Sequence, residues 1–471
     1  MIPGATASGD TLTVTAPYDD SIIATLDTAN TAAIETALNT AQQLFADRGR
    51  WLTATERIAI LKKTAQLMDA QADDLAMEAA REGGKPLMDS RVEVARAIDG
   101  VHNCIECIRG DSGREIPMGV NLASQSRLAF TRKEPIGVVV AVSAFNHPLN
   151  LIVHQVGPAV ASGCPVIIKP AEDTPLSCYR FVALLREAGL PEEWCQALVV
   201  SDLDVASQLV TDSRVGFFSF IGSASVGWML RSKLAPGTRC ALEHGGVAPV
   251  IIEADADLDD ALPLIAKGGF YHAGQVCVSV QRVFCHKSIA REVAERLATL
   301  AQAQVVGDPT DPVTEIGPLI RSKELNRVRQ WVSEAVTAGA KLLTGGEVHG
   351  HCYSPTVLFN PPQDTKVSNK EIFGPVICVY DYVDMDEALG RANALPVAFQ
   401  AAVFTRDMDK ALYACKHFNA SAVMINDHTA FRVDWMPFAG LRQSGLGVGG
   451  IPYTYRDMQV EKLMVIRSKV L

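Results

Sequence analysis

A chain of 471 residues is too long for one ordinary hydrophobic core, and 48% hydrophobic with 20% charged residues suits a globular protein of roughly two or three domains. The formal net charge of −10 argues against a general attraction to nucleic acid or anionic membrane, leaving room only for a local basic pocket. No basic segment followed by an apolar one opens the chain, and no uninterrupted apolar run reaches about 18 residues, so the expectation is a cytoplasmic protein with no membrane partner.

Eleven cysteines, an odd number without an export signal, point to reduced thiols rather than a disulfide framework. Cys104 and Cys107 form a lone C-x-x-C with no second pair and no histidines at finger spacing. Two thiols on one helix face are expected there, and no metal site.

Residues 31 to 109 read as helical. Thr53 and Glu56 make a capping-box signature, and Ile58, Leu61, Ala65 and Met68 recur at helical spacing. Nothing in this stretch suggests catalysis. Residues 114 to 132, where Leu128 and Phe130 alternate with charged neighbours, read as an excursion from the first domain. From Ile136 to Val250, apolar runs such as 137–142 and 165–169 alternate with helical stretches such as 177–188, which indicates βαβ units on a buried parallel sheet. A second α/β block, from about Val250 to Tyr455, repeats the habit.

Within the first block, Phe145-Asn146-His147-Pro148 reads on its own as a turn. Lys169 ends an apolar run, where ligands of open α/β sheets bind, or else snorkels to the surface. Glu172 follows three residues later. The run 216–221 breaks at Gly222-Ser223 into a helical stretch containing Gly227, an arrangement that directs free N–H groups at a phosphate, although ordinary strand-to-helix turns share it. Three further segments join a reactive side chain to glycine: Glu243-His244-Gly245-Gly246, Gly274-Gln275-Val276-Cys277 and Glu371-Ile372-Phe373-Gly374-Pro375.

Taken together and in this order, these segments closely resemble the NAD(P)-dependent aldehyde dehydrogenase superfamily over nearly the whole chain. The resemblance implies an α/β fold with a noncanonical Rossmann cofactor domain (residues 1–113 and 133–245), an α/β catalytic domain (246–455) and a small β oligomerisation element (114–132 and 456–471). A homodimer or homotetramer acting on a small-molecule aldehyde is implied with it. Cys277 would be the nucleophile, 34 residues after Glu243 (277 − 243), which would be the general base. Asn146 and the Cys277 N–H would hold the oxyanion. Gly222 and Ser223 would face the cofactor pyrophosphate, Lys169 and Glu172 the adenosine ribose, and Glu371 the nicotinamide ribose, with Phe373 beside the ring. Glu172 favours NAD over NADP, because a carboxylate accepts from ribose hydroxyls and repels a 2′-phosphate. His244 departs from the leucine usual at its position.

Retention of Glu243 favours hydrolysis to the free acid over transfer to CoA, and retention of Cys277, Glu243 and Asn146 together argues against a non-catalytic binding protein. Phe145-Asn146-His147-Pro148, the run from Gln275 to Arg282, and Phe431-Arg432-Val433-Asp434 look most like the branch of lactaldehyde, phosphonoacetaldehyde and sulfolactaldehyde dehydrogenases. Phe145, His147 and Arg432 would then meet a short polar or anionic aldehyde. Two alternatives stand beside this: Arg432 pairs structurally with Asp434 or another carboxylate, or the aromatic Phe145, Phe431, Trp435 and Phe438 accept a larger apolar aldehyde.

Overall fold

The computed structural model describes residues 1–471. Its first sheet follows from β-branched runs that are apolar on both faces: Val138–Val142 and Val166–Lys169 are buried almost throughout. The spatial order is Gly445–Leu446, Arg239–Glu243, Val215–Ile221, Val138–Val142, Val166–Lys169 and Cys195–Ala197. All neighbours are parallel except the first pair. Val138–Val142 lies between Val166–Lys169, the strand that follows it directly in the chain, and Val215–Ile221, which comes three strands later. That is a topological switch point, and the crevice for a ligand lies at the carboxyl ends of such strands.

Helices cover this sheet. Helix Ala54–Ala70 starts at a capping box in which Thr53 Oγ1 accepts from the Glu56 N–H and Glu56 Oε2 accepts from the Thr53 N–H. Its Leu61, Ala65 and Met68 are buried, as the helical spacing predicts, while Ile58 is half-buried. Helix Leu87–Gly110, which carries Cys104 and Cys107, packs against Asn150–Ser162 through a shared core that includes Val101, Cys104, Val153 and Val156.

The second sheet runs Lys341–Thr344, Thr356–Phe359, Val376–Tyr382, Arg282–His286, Pro249–Ile252, Gln400–Phe404 and Ala422–Ile425. Only its first strand is antiparallel. It holds the largest core, with Val250, Ile251, Val283, Phe284, Val379 and Val403 among the buried side chains. A separate three-stranded sheet pairs Arg127–Pro135 with Gln459–Arg467 on one side and Glu115–Ile116 on the other. The edge formed by Gln459–Arg467 has no neighbouring strand, and its Leu463, Met464, Val465 and Ile466 are 41–55% exposed. No helix is long and apolar enough to cross a membrane.

Candidate active site

A cavity of about 770 Å³ opens where the carboxyl ends of Val138–Val142, Val166–Lys169 and Val215–Ile221 face the loop leading into Arg282–His286. Its wall carries Asn146, Glu243 and Cys277. It also carries Lys169, Glu172, Gly222, Ser223, Glu371 and Phe373, together with Phe145, His147 and Arg432. Every residue expected to serve catalysis, cofactor binding or substrate binding by the resemblance therefore lines one space.

Cys277 is delivered by a strained turn. After helix Leu258–Phe270, His272 (φ 48°), Ala273 (φ 52°) and Gly274 (φ 68°) all take up left-handed backbone, which costs a non-glycine residue about 1–2 kcal/mol. The surroundings hold it. A Cβ on Gly274 would stand 2.1 Å from the Gly374 carbonyl oxygen. Gln275 Oε1 accepts from the Ile320 N–H at 2.9 Å, and its Nε2 donates to Pro318 O at 3.2 Å. Asn146 Nδ2 donates to Gln275 O at 2.9 Å, which ties the amide to the cysteine segment and leaves its second hydrogen for another acceptor. Burial pushes the Cys277 thiol up, the Glu243 carboxylate pushes it further, and Arg432 opposes both. The resting group is a thiol that needs a base.

Glu243 ends strand Arg239–Glu243, and burial raises its carboxyl above the ordinary range against the pull of Arg432. The next side chain turns the other way: His244 Nδ1 lies 2.8 Å from Gly222 O, with Phe220 and Trp228 against its ring. Glu371 approaches the same segment so closely that a Cβ on Gly245 would stand 1.6 Å from its Oε1. Burial drives the Glu371 carboxyl to about 8, against the Arg327 charge and the Gly246 N–H. Its Oε1 has no partner in the protein, and a ribose hydroxyl is a donor of the kind it lacks. Lys169 Nζ holds Glu172 Oε1 at 3.2 Å at the other end of the cavity. The N–H groups of the first turn of helix Ala224–Arg231 have no intrahelical acceptor. This donor and acceptor set fits a dinucleotide.

The opposite end is basic. Arg96 grips Asp434 with two hydrogen bonds, at 3.0 and 2.7 Å, and His154 Nε2 lies 2.7 Å from the same carboxylate. Burial works against ionisation, yet His154 and Arg96 hold the Asp434 carboxyl well below the usual range. Asp434 is therefore the partner of Arg96 and His154, which removes the pairing with Asp434 considered for Arg432. The Arg432 guanidinium instead lies 3.6 Å over the Phe438 ring, with Nη2 at 3.4 Å from His154 Nδ1. Of the four aromatics considered for an apolar substrate, Phe145 and Phe438 line the cavity, whereas Phe431 and Trp435 lie outside it and are 44% and 54% exposed.

Two residues of the helical stretch, where the sequence offered no candidate, reach this site. Arg96 is on the cavity wall, and the fully buried Lys85 sits behind it, paired with Glu93 and 2.7 Å from His147 Nδ1. Glu93 Oε1 also accepts from the Leu149 and Asn150 N–H groups at 2.9 Å, capping helix Asn150–Ser162. The sequence signal available was Gly83-Gly84-Lys85-Pro86: a lysine just before helix Leu87–Gly110, where the dipole disfavours a cation.

Residues 5–464 match the aldehyde dehydrogenase family. The chain belongs to that family. This aldehyde dehydrogenase is 39% identical over 411 residues to a 3-sulfolactaldehyde dehydrogenase of Priestia aryabhattai, covering 87% of this chain and 86% of the relative. It superposes on a Physcomitrella patens aldehyde dehydrogenase in complex with the reaction product succinate with a TM-score of 0.94, at 34% identity over 98% and 96% of the two chains. A glyceraldehyde-3-phosphate dehydrogenase of Methanocaldococcus jannaschii complexed with NADP gives a TM-score of 0.93 at 32% identity, over 98% and 100%. The α/β aldehyde dehydrogenase fold expected from the motifs is the fold observed, and the branch named from them includes the Priestia relative. The family is an NAD(P)-dependent oxidoreductase family.

Proposed function

We propose that this aldehyde dehydrogenase oxidises a short polar or anionic aldehyde to its carboxylic acid with NAD, through a thioester on Cys277. The observation that carries this reading is the convergence of Cys277, Glu243 and Asn146 on one cavity whose far end holds Arg96 and Arg432.

Glu243 takes the Cys277 proton as Sγ attacks the carbonyl carbon and the C–S bond forms. The oxygen of the adduct accepts from the free hydrogen of Asn146 Nδ2 and from the Cys277 N–H. NAD, when bound, supplies the acceptor for the hydride that leaves the adduct carbon. Glu243 releases that proton to solvent and, ionised again, deprotonates a water that attacks the thioester; the C–S bond breaks, the acid departs, and the thiolate regains the proton from Glu243. Lys169 and Glu172 are suited to the adenosine ribose, and Glu371 to the nicotinamide ribose with Phe373 alongside.

Arg432 supports a polar or anionic substrate because no carboxylate of the protein neutralises it at hydrogen-bonding distance, Asp434 being held by Arg96 and His154. His147 stands beside it as a neutral donor, since burial and the Lys85 charge keep it from protonating. The unpaired, apolar edge of Gln459–Arg467 supports assembly of a homodimer or homotetramer.

The test is reduced-nucleotide absorbance with a panel of short hydroxy- or acid-bearing aldehydes, run beside Cys277→Ala and with and without CoA. Turnover should vanish in Cys277→Ala while NAD still binds, and CoA should leave the rate unchanged. Substantial turnover without Cys277 would refute the mechanism, and acceleration by CoA would favour acyl transfer instead.

A further inference from the structure

His244 links the base segment to the cofactor turn through two reciprocal contacts. The Gly222 N–H donates to Glu243 O at 3.0 Å, and the Gly222 carbonyl lies 2.8 Å from His244 Nδ1. A carbonyl only accepts, so the imidazole proton must be on Nδ1. Burial keeps the ring neutral, which leaves Nε2 a bare acceptor, and that atom has no partner in the protein. The ring is clamped by Phe220 and Trp228, with centroids 5.6 and 5.9 Å away. Space for it exists because residue 227 is glycine: a Cβ there would stand 2.1 Å from His244 Cε1. Gly227 and His244 are thus fitted to each other.

The hydrogen bond has a consequence on the other side of the turn. All peptide bonds are trans, so the Gly222 C=O and the Ser223 N–H of one peptide plane point in opposite directions. Holding the carbonyl on His244 turns the Ser223 N–H away from it, beside the first-turn N–H groups of helix Ala224–Arg231, and Gly222 and Ser223 both line the cavity. Ser223 makes no side-chain cap on this helix, which leaves those donors for a ligand. We infer that His244 is a positioning residue for the cofactor: its Nδ1–H locks the Gly222–Ser223 peptide so that the Ser223 N–H is presented to the dinucleotide pyrophosphate. This rests on the proposed NAD site.

The inference separates from that reading by equilibrium binding, with no turnover required. NAD is titrated into the intact protein, wild type and variants, by calorimetry, and unliganded thermal melting verifies that each variant folds. His244→Leu removes the donor and should weaken NAD about threefold to tenfold, the effect of one neutral hydrogen bond. His244→Asn, whose Nδ2–H replaces the Nδ1–H in nearly the same place, should bind NAD within about twofold of wild type by keeping that bond. A general packing role would be disturbed by both changes, whereas the hydrogen bond is lost in only one. If wild type binds NAD and His244→Leu binds it equally well, or if His244→Asn is as weak as His244→Leu, the inference is overturned and the proposed function stands. If wild type binds neither NAD nor NADP, both fall.

Discussion

Lys85 Nζ lies 2.7 Å from His147 Nδ1 and forms an ion pair with Glu93, both Lys85 and Glu93 being buried away from solvent. An ammonium only donates, so Nδ1 accepts and the His147 proton sits on Nε2. The tautomer of a side chain on the cavity wall is therefore set by a lysine 62 positions earlier. Removing one partner of a buried pair leaves the other charge uncompensated. Lys85→Met should lower the unfolding free energy by about 3–5 kcal/mol in urea titration, and adding Glu93→Gln should recover part of it. A single variant as stable as wild type would show that the pair is not what holds the Asn146-His147 segment.

Glu243→Gln should slow steady-state turnover by roughly 10²–10⁴-fold, as expected for loss of a general base. A rapid first burst of reduced nucleotide is expected to survive if deacylation depends on Glu243 more than thiol attack does. The wild-type pH profile follows from the same group. A base works ionised, and burial raises the Glu243 carboxyl, so kcat should fall with decreasing pH at values above the ordinary carboxylate range. An acid limb confined to the ordinary range, or one unchanged in Glu243→Gln, would count against this role.

On the proposed reading cofactor choice turns on Glu172, whose carboxylate is paired with Lys169 on the cavity wall. Wild type should show the higher kcat/KM with NAD. Glu172→Ser should narrow the gap to NADP by roughly tenfold or more, equivalent to about 1.4 kcal/mol of relieved repulsion. A wild-type preference for NADP would place the ribose elsewhere.

Arg432 should discriminate in favour of an acid-bearing aldehyde. A charge-assisted hydrogen bond contributes about 1.5–3 kcal/mol, so Arg432→Ala should cut kcat/KM for such a substrate by tenfold or more and leave hexanal much less affected. Competition between the two aldehydes measures this directly. A preference for hexanal in wild type, unaltered by the substitution, would reverse the substrate assignment.

Local signals alone determined a good deal of this protein. The capping box at Thr53 and Glu56, the strand and glycine turn from Val215 to Ser223, and the buried parallel strands all depend on contacts between near neighbours or on hydrophobic period, and both are written in the order of residues. The segments of Cys277, Glu243 and Glu371 were likewise visible, because each places a reactive side chain within a few positions of a glycine. Tertiary structure alone decided the partners of the buried charges. Arg96 meets Asp434 across 338 positions, Lys85 meets His147 across 62, and Phe431 and Trp435 turn away from the cavity that their neighbour Arg432 enters. No period or spacing encodes such meetings. A charge removed from water must be compensated by whatever the packed helices and sheets bring within reach, and that is known only once they have packed.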